Sequence, residues 1–313
     1  MKYIAKKICA LIITLFMVSL LAFLAFQIIP GDPTTKMLGT EATPEAVAEL
    51  RAQLGLDRPI PVRYWNWLTE FLSGNMGMSY SYGMPVAEMI GQKLTTTALL
   101  TAMTFAATVL LSIPFGILAG SVRNRFLDRS IAVVNQLFMS IPPFFLGILM
   151  CYLFGILLSF FVPGDFIAFS DDPWKCLQYL VFPAMAIALP RTAMTVKMLR
   201  SSVAKELGQD YVLTARSRGN SRGSILVRHV LRNALIPAIT FLAVSMAEIL
   251  TGSIIVEQVF TIPGIGRLLL ASISNRDFPV VQAVVVILAA WIVIVNFVAD
   301  LLNQLTDPRV RLR

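Results

Sequence analysis

The amino-acid sequence predicts an all-α integral membrane protein with six transmembrane helices and both termini in the cytoplasm (N-in, C-in). Three observations lead there. Of the 313 residues 57% are hydrophobic and 14% charged, with a mean hydropathy of +0.74, a balance too apolar for a soluble chain of this length. Six stretches are long and apolar enough to cross a hydrocarbon core, which takes about 20 residues each: Ile8 to Ile29, Thr95 to Val122, Ser130 to Val162, Leu177 to Ala193, Asn233 to Val256 and Pro279 to Leu305. With both ends inside, 18 of the 26 Lys and Arg lie in cytoplasmic segments, while 12 of the 18 Asp and Glu lie outside, as the positive-inside rule requires. The net charge of +8 thus follows topology, and no nucleic-acid partner is expected.

The elements follow in order. The N-terminal run has the basic start of a secretory signal, but its apolar run of 22 residues is too long and no small-residue cleavage site follows. A retained first span, residues 1–30, is expected. Residues 31–94 form an extracytoplasmic insertion. Within it Thr43-Pro44 makes an N-cap and first-turn pair, Glu45 and Glu49 suit the first turns, and Gly55 closes a helix running through Leu54. The aromatic Tyr64-Trp65-Asn66-Trp67 either anchors at the membrane interface or contacts an external protein. In the third span Pro142 and Pro143 remove backbone donors and force a kink or break, which either lines a pathway or only bends the packing.

Between the fourth and fifth spans lies a basic cytoplasmic loop, about 201–232, containing DYVLTARSRGNSRGSILVRHV from Asp210 onward. Asp210-Tyr211 opens a helical pattern and Gly219 and Gly223 interrupt it, so two short helices joined by a tight bend are expected. Thr261 to Arg267 reads as a turn into a further short helix, and Asn275 to Pro279 leads into the last span.

Glu248 falls near the middle of the fifth span, where an unpaired charge costs at least ~2.5 kcal/mol, so it should face the bundle interior or a wet cavity. It contacts a substrate amine or cation there, or hydrogen-bonds within the bundle while protonated. Asp300, less than two turns from Asp307, should snorkel or make a helix-end contact. Cys9, Cys151 and Cys176 have no paired spacing, indicating neither a disulfide framework nor a metal knuckle. His229 is the single histidine, so no multi-histidine metal site is available. Methionines such as Met139, Met150, Met185 and Met246 are expected to fill packing gaps. No G-x-x-x-x-G-K-[ST] and no nucleophile with its base occur, so the chain is read as non-catalytic and without a P-loop nucleotide site.

The loop, with Ala215, Gly219, His229 and Pro237 as landmarks, resembles the cytoplasmic coupling loop of permease subunits in binding-protein-dependent ABC importers, specifically the dipeptide, oligopeptide and nickel branch. Ile29-Pro30-Gly31-Asp32-Pro33, the Thr261 to Arg267 and Asn275 to Pro279 stretches, and Asp307-Pro308-Arg309 are similar to the same family, so the resemblance covers essentially the whole chain. One departure stands out: the wider superfamily usually opens this loop with Glu-Ala-Ala, where Leu213-Thr214-Ala215 occurs here, with Asp210 three residues upstream.

The resemblance implies a type I ABC importer permease fold over a core of residues 95–313. It implies ATPase coupling through Asp210, Tyr211, Leu213, Ala215, Arg216, Arg218, Gly219 and Arg222, with Tyr211 and Leu213 giving apolar contact and the arginines charge complementarity. By charge alone these arginines would equally meet lipid phosphates. Glu248, Pro142 and Pro143 are the pathway candidates. Implied partners are a second homologous permease, two ABC ATPase subunits that hold ATP and Mg, and an extracytoplasmic solute-binding protein; no cofactor is expected on this chain. The implied location is the inner or plasma membrane. The expected substrate is a short peptide, with a nickel or other metal chelate, or a glutathione or opine-like compound, as the alternative. Outside this class stands an ion-coupled secondary carrier, which should carry ion-liganding residues in several spans and an inverted repeat.

Overall fold

A computed structural model of the chain describes residues 2–28, 43–53, 55–122 and 124–306. The expected signatures at Ile29–Pro33 and Asp307–Arg309, and Leu54, lie outside them. Helices account for the regular structure of the described residues, apart from one isolated bridge between Met78 and Pro85. They are α1 (Lys2–Ile28), α2 (Pro44–Gln53), α3 (Ile60–Leu72), α4 (Val86–Ser121), α5 (Arg125–Ser140) and α6 (Pro143–Met150), the last continuing as a π-helical stretch, Cys151–Leu157. Then come α7 (Pro173–Leu207), α8 (Asp210–Ser217), α9 (Arg222–Ile225) with a π-helical turn at Leu226–Val230, α10 (Leu231–Val259), α11 (Ile265–Ser274) and α12 (Phe278–Thr306). Five helical stretches among the described residues are long and apolar enough to cross a membrane, and the pair α5 and Pro143–Leu157, bent by 96°, makes a sixth if read as one span.

Two predicted span ends move. The fourth span's helix runs on to Leu207 rather than stopping near Ala193, and helix continues from Arg222 into α10 rather than starting at Asn233. Met194 to Leu207 contains neither Gly nor Pro, so the backbone stays helical beyond the apolar run until Gly208, whose N–H bonds to Lys205 O at 3.2 Å. Hydropathy marks the crossing, not the helix. Gly223 does not interrupt its segment either. It sits in the first turn of α9, which Ser221 caps by accepting from Ser224 N–H, so the second short helix merges into the fifth span.

The chain divides into two compact units, Met1–Thr95 with Gly264–Ile294, and Thr96–Pro263 with Val295–Arg313. In the first, Thr43 caps α2 by accepting from Ala46 N–H at 3.3 Å, and Gly55 ends it with φ +64°. Tyr64 of α3 is buried against α1, its hydroxyl 2.8 Å from Ser19 Oγ and its ring edge-on to Phe16 and Phe23. Trp67 meets Phe23, whereas Trp65 is 61% exposed. The aromatic run thus splits: two rings fasten α3 to α1 and one remains for an interface or a partner. Val86, Ile90, Ile265, Leu268, Val280 and Val284 form the unit's core.

At the α11–α12 turn Arg276 takes φ +53°, an uncommon conformation for a side chain with a Cβ. Asp277 beside it is fully buried and accepts from Ser79 Oγ, from Tyr80 N–H at 3.0 Å and from Ser81 N–H at 3.3 Å. Those bonds offset the strain of the turn and pin the 79–82 loop of the insertion.

In the second unit α4 and α7 run parallel in close contact. A Cβ on Gly116 would lie 2.8 Å from Leu199 Cδ2, and one on Gly120 2.6 Å from Val203 Cβ; glycines one turn apart let two helix backbones touch. Helices α7 and α10 run antiparallel. Tyr179 donates to Phe260 O at 2.6 Å, Ile187 packs on Gly252, and Arg191 pairs with Glu248, so eight and twelve residues forward on α7 match eight and twelve back towards the start of α10. Asn135 Nδ2 donating to Ala193 O at 2.8 Å and Arg200 paired with Asp128 at 2.6 Å tie α5 to α7. Thr101, Thr104 and Thr108, buried on one face of α4, each bond back to a carbonyl one turn earlier at 2.8 Å, which keeps a polar stripe self-satisfied in an apolar setting.

Candidate coupling loop and pathway residues

The loop between α7 and α10 is built from the inside outward. Val212 and Ala215, three apart on one face of α8, are buried in a core with Leu199, Val203, Ile225 and Val230. The end of α8 is set by a Schellman motif: Gly219 at φ +79° donates to Arg216 O at 3.0 Å, and Asn220 N–H reaches Ala215 O at 3.3 Å. A Cβ on Gly219 would meet nothing within 4 Å, so glycine is needed for its backbone and not for space.

Of the eight predicted coupling residues, six reach the surface: Asp210, Leu213 at 60% exposure, Arg216, Arg218, Gly219 and Arg222. Ala215 faces inward. Tyr211 is half-buried and donates to Glu206 Oε2 at 2.6 Å. Burial, and then the Glu206 carboxylate, push its hydroxyl above the ordinary 10.0. What remains outside is one large apolar side chain, Leu213, with three arginines nearby, on a short helix anchored to the ends of two long ones. Beside it opens a cavity of about 1300 Å³ lined by Lys205, Glu206, Tyr211, Arg228, His229 and Arg232 among others.

The double proline breaks the third span outright. Pro142 is extended (φ −63°, ψ 143°) and Pro143 opens α6, because a residue before proline is driven out of the helical region and proline is at home in a first turn. Phe144 and Phe145 beyond the break are 40% and 47% exposed.

Glu248 is ion-paired with Arg191, whose guanidinium also lies 3.9 Å from Met194 Sδ. Neither of the two roles considered for Glu248 from sequence included this partner. Arg191 stands two residues before the end of the predicted fourth span at Ala193, an edge position where a basic residue raises no conflict in the sequence; the helix carries it on to Leu207. A second carboxylate, Glu257, escaped notice because it lies just past the apolar stretch. It is fully buried and accepts from Thr97 Oγ1 at 2.6 Å. Of the methionines singled out, Met150 is buried and Met139, Met185 and Met246 are partly so.

Residues 112–312 match the family described as binding-protein-dependent transport system inner membrane component, and residues 1–105 match its N-terminal companion. A probable peptide ABC transporter permease of Sinorhizobium fredii is 33% identical, covering 99% of both chains. A putative peptide transport system permease of Brucella abortus is 35% identical over 98% of both, and a glutathione transport system permease, GsiC, of Salmonella choleraesuis 35% identical over 99% of both. A solved inward-facing structure of the MetNI methionine ABC transporter shares the fold at a TM-score of 0.57 and 16% identity, covering 70% of this chain and 96% of that one. Helical architecture, apolar spans and full-length likeness agree: this chain belongs to the inner membrane components of binding-protein-dependent transport systems.

Proposed function

We propose that this chain is the permease subunit of an ATP-driven importer of short peptides, and that its 201–232 loop transmits the motion of separate ATPase subunits to the membrane spans. The observation that carries the coupling role is α8 itself. Val212 and Ala215 fix it to the ends of α7 and α10, while Leu213, Arg216, Arg218 and Arg222 face outward, so a push on that surface is delivered to both long helices as a rigid lever. An apolar knob with surrounding guanidinium groups suits a cleft with an acidic rim. Relatives named for peptides, and one for glutathione, itself a tripeptide, support the substrate class.

ATP and Mg reside on the partner ATPases, and this chain holds no cofactor. A second homologous permease completes the pathway, two ABC ATPases bind the loops on the cytoplasmic side where both termini lie, and an external solute-binding protein delivers the ligand. Glu248 and the Pro142-Pro143 break belong to the pathway. The test is ATP hydrolysis and uptake by the complete complex in proteoliposomes, with the binding protein loaded with a dipeptide mixture, glutathione or a nickel chelate. Stimulation and uptake with dipeptides are expected. Stimulation by nickel chelate alone would overturn the peptide assignment, and the absence of any associated ATPase would return the chain to the ion-coupled carriers.

A further inference from the structure

An ion pair stands on a face of the second unit where lipid would tolerate none. Glu248 lies eleven residues from the end of α10 at Val259, about 17 Å at a rise of 1.5 Å per residue and thus near the middle of a core of about 30 Å. Arg191 meets it at the same depth, twelve residues along α7 from Tyr179, which holds Phe260 at the end of α10. The Glu248 side chain is nevertheless 49% exposed and that of Arg191 21%. Charges at this depth face water or protein rather than hydrocarbon. Val244, Glu248, Thr251, Ile255 and Gln258 recur every three or four positions as the exposed stripe of α10, and three of the five are polar. This is the composition of a pathway wall.

The pair also has unused capacity. A guanidinium offers five N–H donors, and the bonds seen for Arg191 go to one carboxylate oxygen and a thioether. Thr192 Oγ1, adjacent to Arg191, and Ser245 Oγ, one turn before Glu248, are buried without a hydrogen-bond partner among the described residues, an uncommon state for two hydroxyls so close in the chain to one ion pair.

We propose that Arg191 and Glu248 form a recognition station for the terminal charges of a zwitterionic peptide, the peptide carboxylate pairing with Arg191 and its ammonium with Glu248. This rests on the reading of the chain as a peptide permease. In the empty pathway the two side chains neutralise each other. When a peptide arrives, two ion pairs replace one and the net charge of the site does not change, so the same groups that admit a zwitterion present no bare charge to a lone ion. A metal cation or a singly charged solute would leave one member unpaired.

The test uses the complete importer in proteoliposomes, with Val244→Cys, one turn from Glu248 on the exposed stripe, introduced after replacing the three native cysteines by serine. Labelling of the new thiol by a charged, membrane-impermeant thiol reagent is followed with no peptide, with dialanine, and with the N-acetylated, amidated form of dialanine. Dialanine should slow labelling by about tenfold, the ratio expected for one charge-assisted contact, and the blocked form should not. In parallel, Arg191→Gln and Glu248→Gln should each lower dialanine uptake per ATP hydrolysed by about tenfold, on the same contact arithmetic. A thiol that never labels in the intact complex would mean that the second permease covers this face, and would overturn the proposal. So would equal protection by both peptides, or wild-type uptake by both glutamine variants. Wild-type complex that takes up no peptide while another ligand stimulates it would instead overturn the peptide assignment.

Discussion

Gly219 gives the sharpest test of how the loop works, because its neighbourhood separates backbone from packing effects. At φ +79° it ends α8 with bonds to Arg216 O and, through Asn220 N–H, to Ala215 O, while a Cβ there would meet nothing within 4 Å. A substitution therefore acts through the left-handed backbone alone. That conformation costs a residue with a Cβ about 1–2 kcal/mol, less for Asn, which visits it several-fold more often, and most for a β-branched side chain. For Ala, stiffening of the unfolded chain returns about 0.4–1 kcal/mol. A cost of one to two kcal/mol shifts the balance between the capped and the frayed end of α8 by a factor of about 5–30. Uptake per permease in the reconstituted importer should then fall in the order Gly219, Gly219→Asn, Gly219→Ala, Gly219→Val, with the amount of chain in the membrane unchanged. If Gly219→Val transports like the parent, or if Gly219→Asn is the worst of the series, the lever argument is wrong.

Two further outcomes follow from other parts of the molecule. Asp277→Ala leaves Ser79 Oγ–H, Tyr80 N–H and Ser81 N–H without their acceptor and should cost about 3 kcal/mol, since each buried donor left unmade costs about 1–3 kcal/mol. Limited proteolysis between 74 and 85 should accelerate, and Asp277→Asn, which keeps one acceptor oxygen, should fall between the two; unchanged cleavage would refute the pinning role. Tyr211 has its hydroxyl pKa raised by burial and by Glu206, so the folded state favours the protonated phenol. The stability this contributes is complete below the ordinary tyrosine value of about 10 and is lost as pH rises through the higher folded value. Melting of the detergent-solubilised chain between pH 8 and 11 should show that loss, and Tyr211→Phe should flatten it; parallel curves for the two proteins would count against the Tyr211–Glu206 contact.

What could be read from the sequence was whatever depends on local composition. Apolar runs announced the spans, the Thr43-Pro44 cap and Gly55 announced α2, and Gly219 announced the bend after α8. What escaped depends on helix register across long separations. Hydropathy ended the fourth span near Ala193, which leaves Arg191 at its cytoplasmic edge, and the fifth at Val256, one residue short of Glu257, although both are held by helices that run past those limits. Ala215 and Leu213 look equally available in the primary sequence, and only the packing of Val212 and Ala215 on Leu199 and Val203 decides which of them faces a partner. The lone charge of Glu248 carried its own hint, since an intramembrane carboxylate demands compensation. The antiparallel register of α7 and α10 supplies it from a residue 57 positions away. In a bundle of long helices, then, the residues most worth finding are those whose charge makes no sense in their own span, and the search for their partners belongs on the facing helix at matching depth.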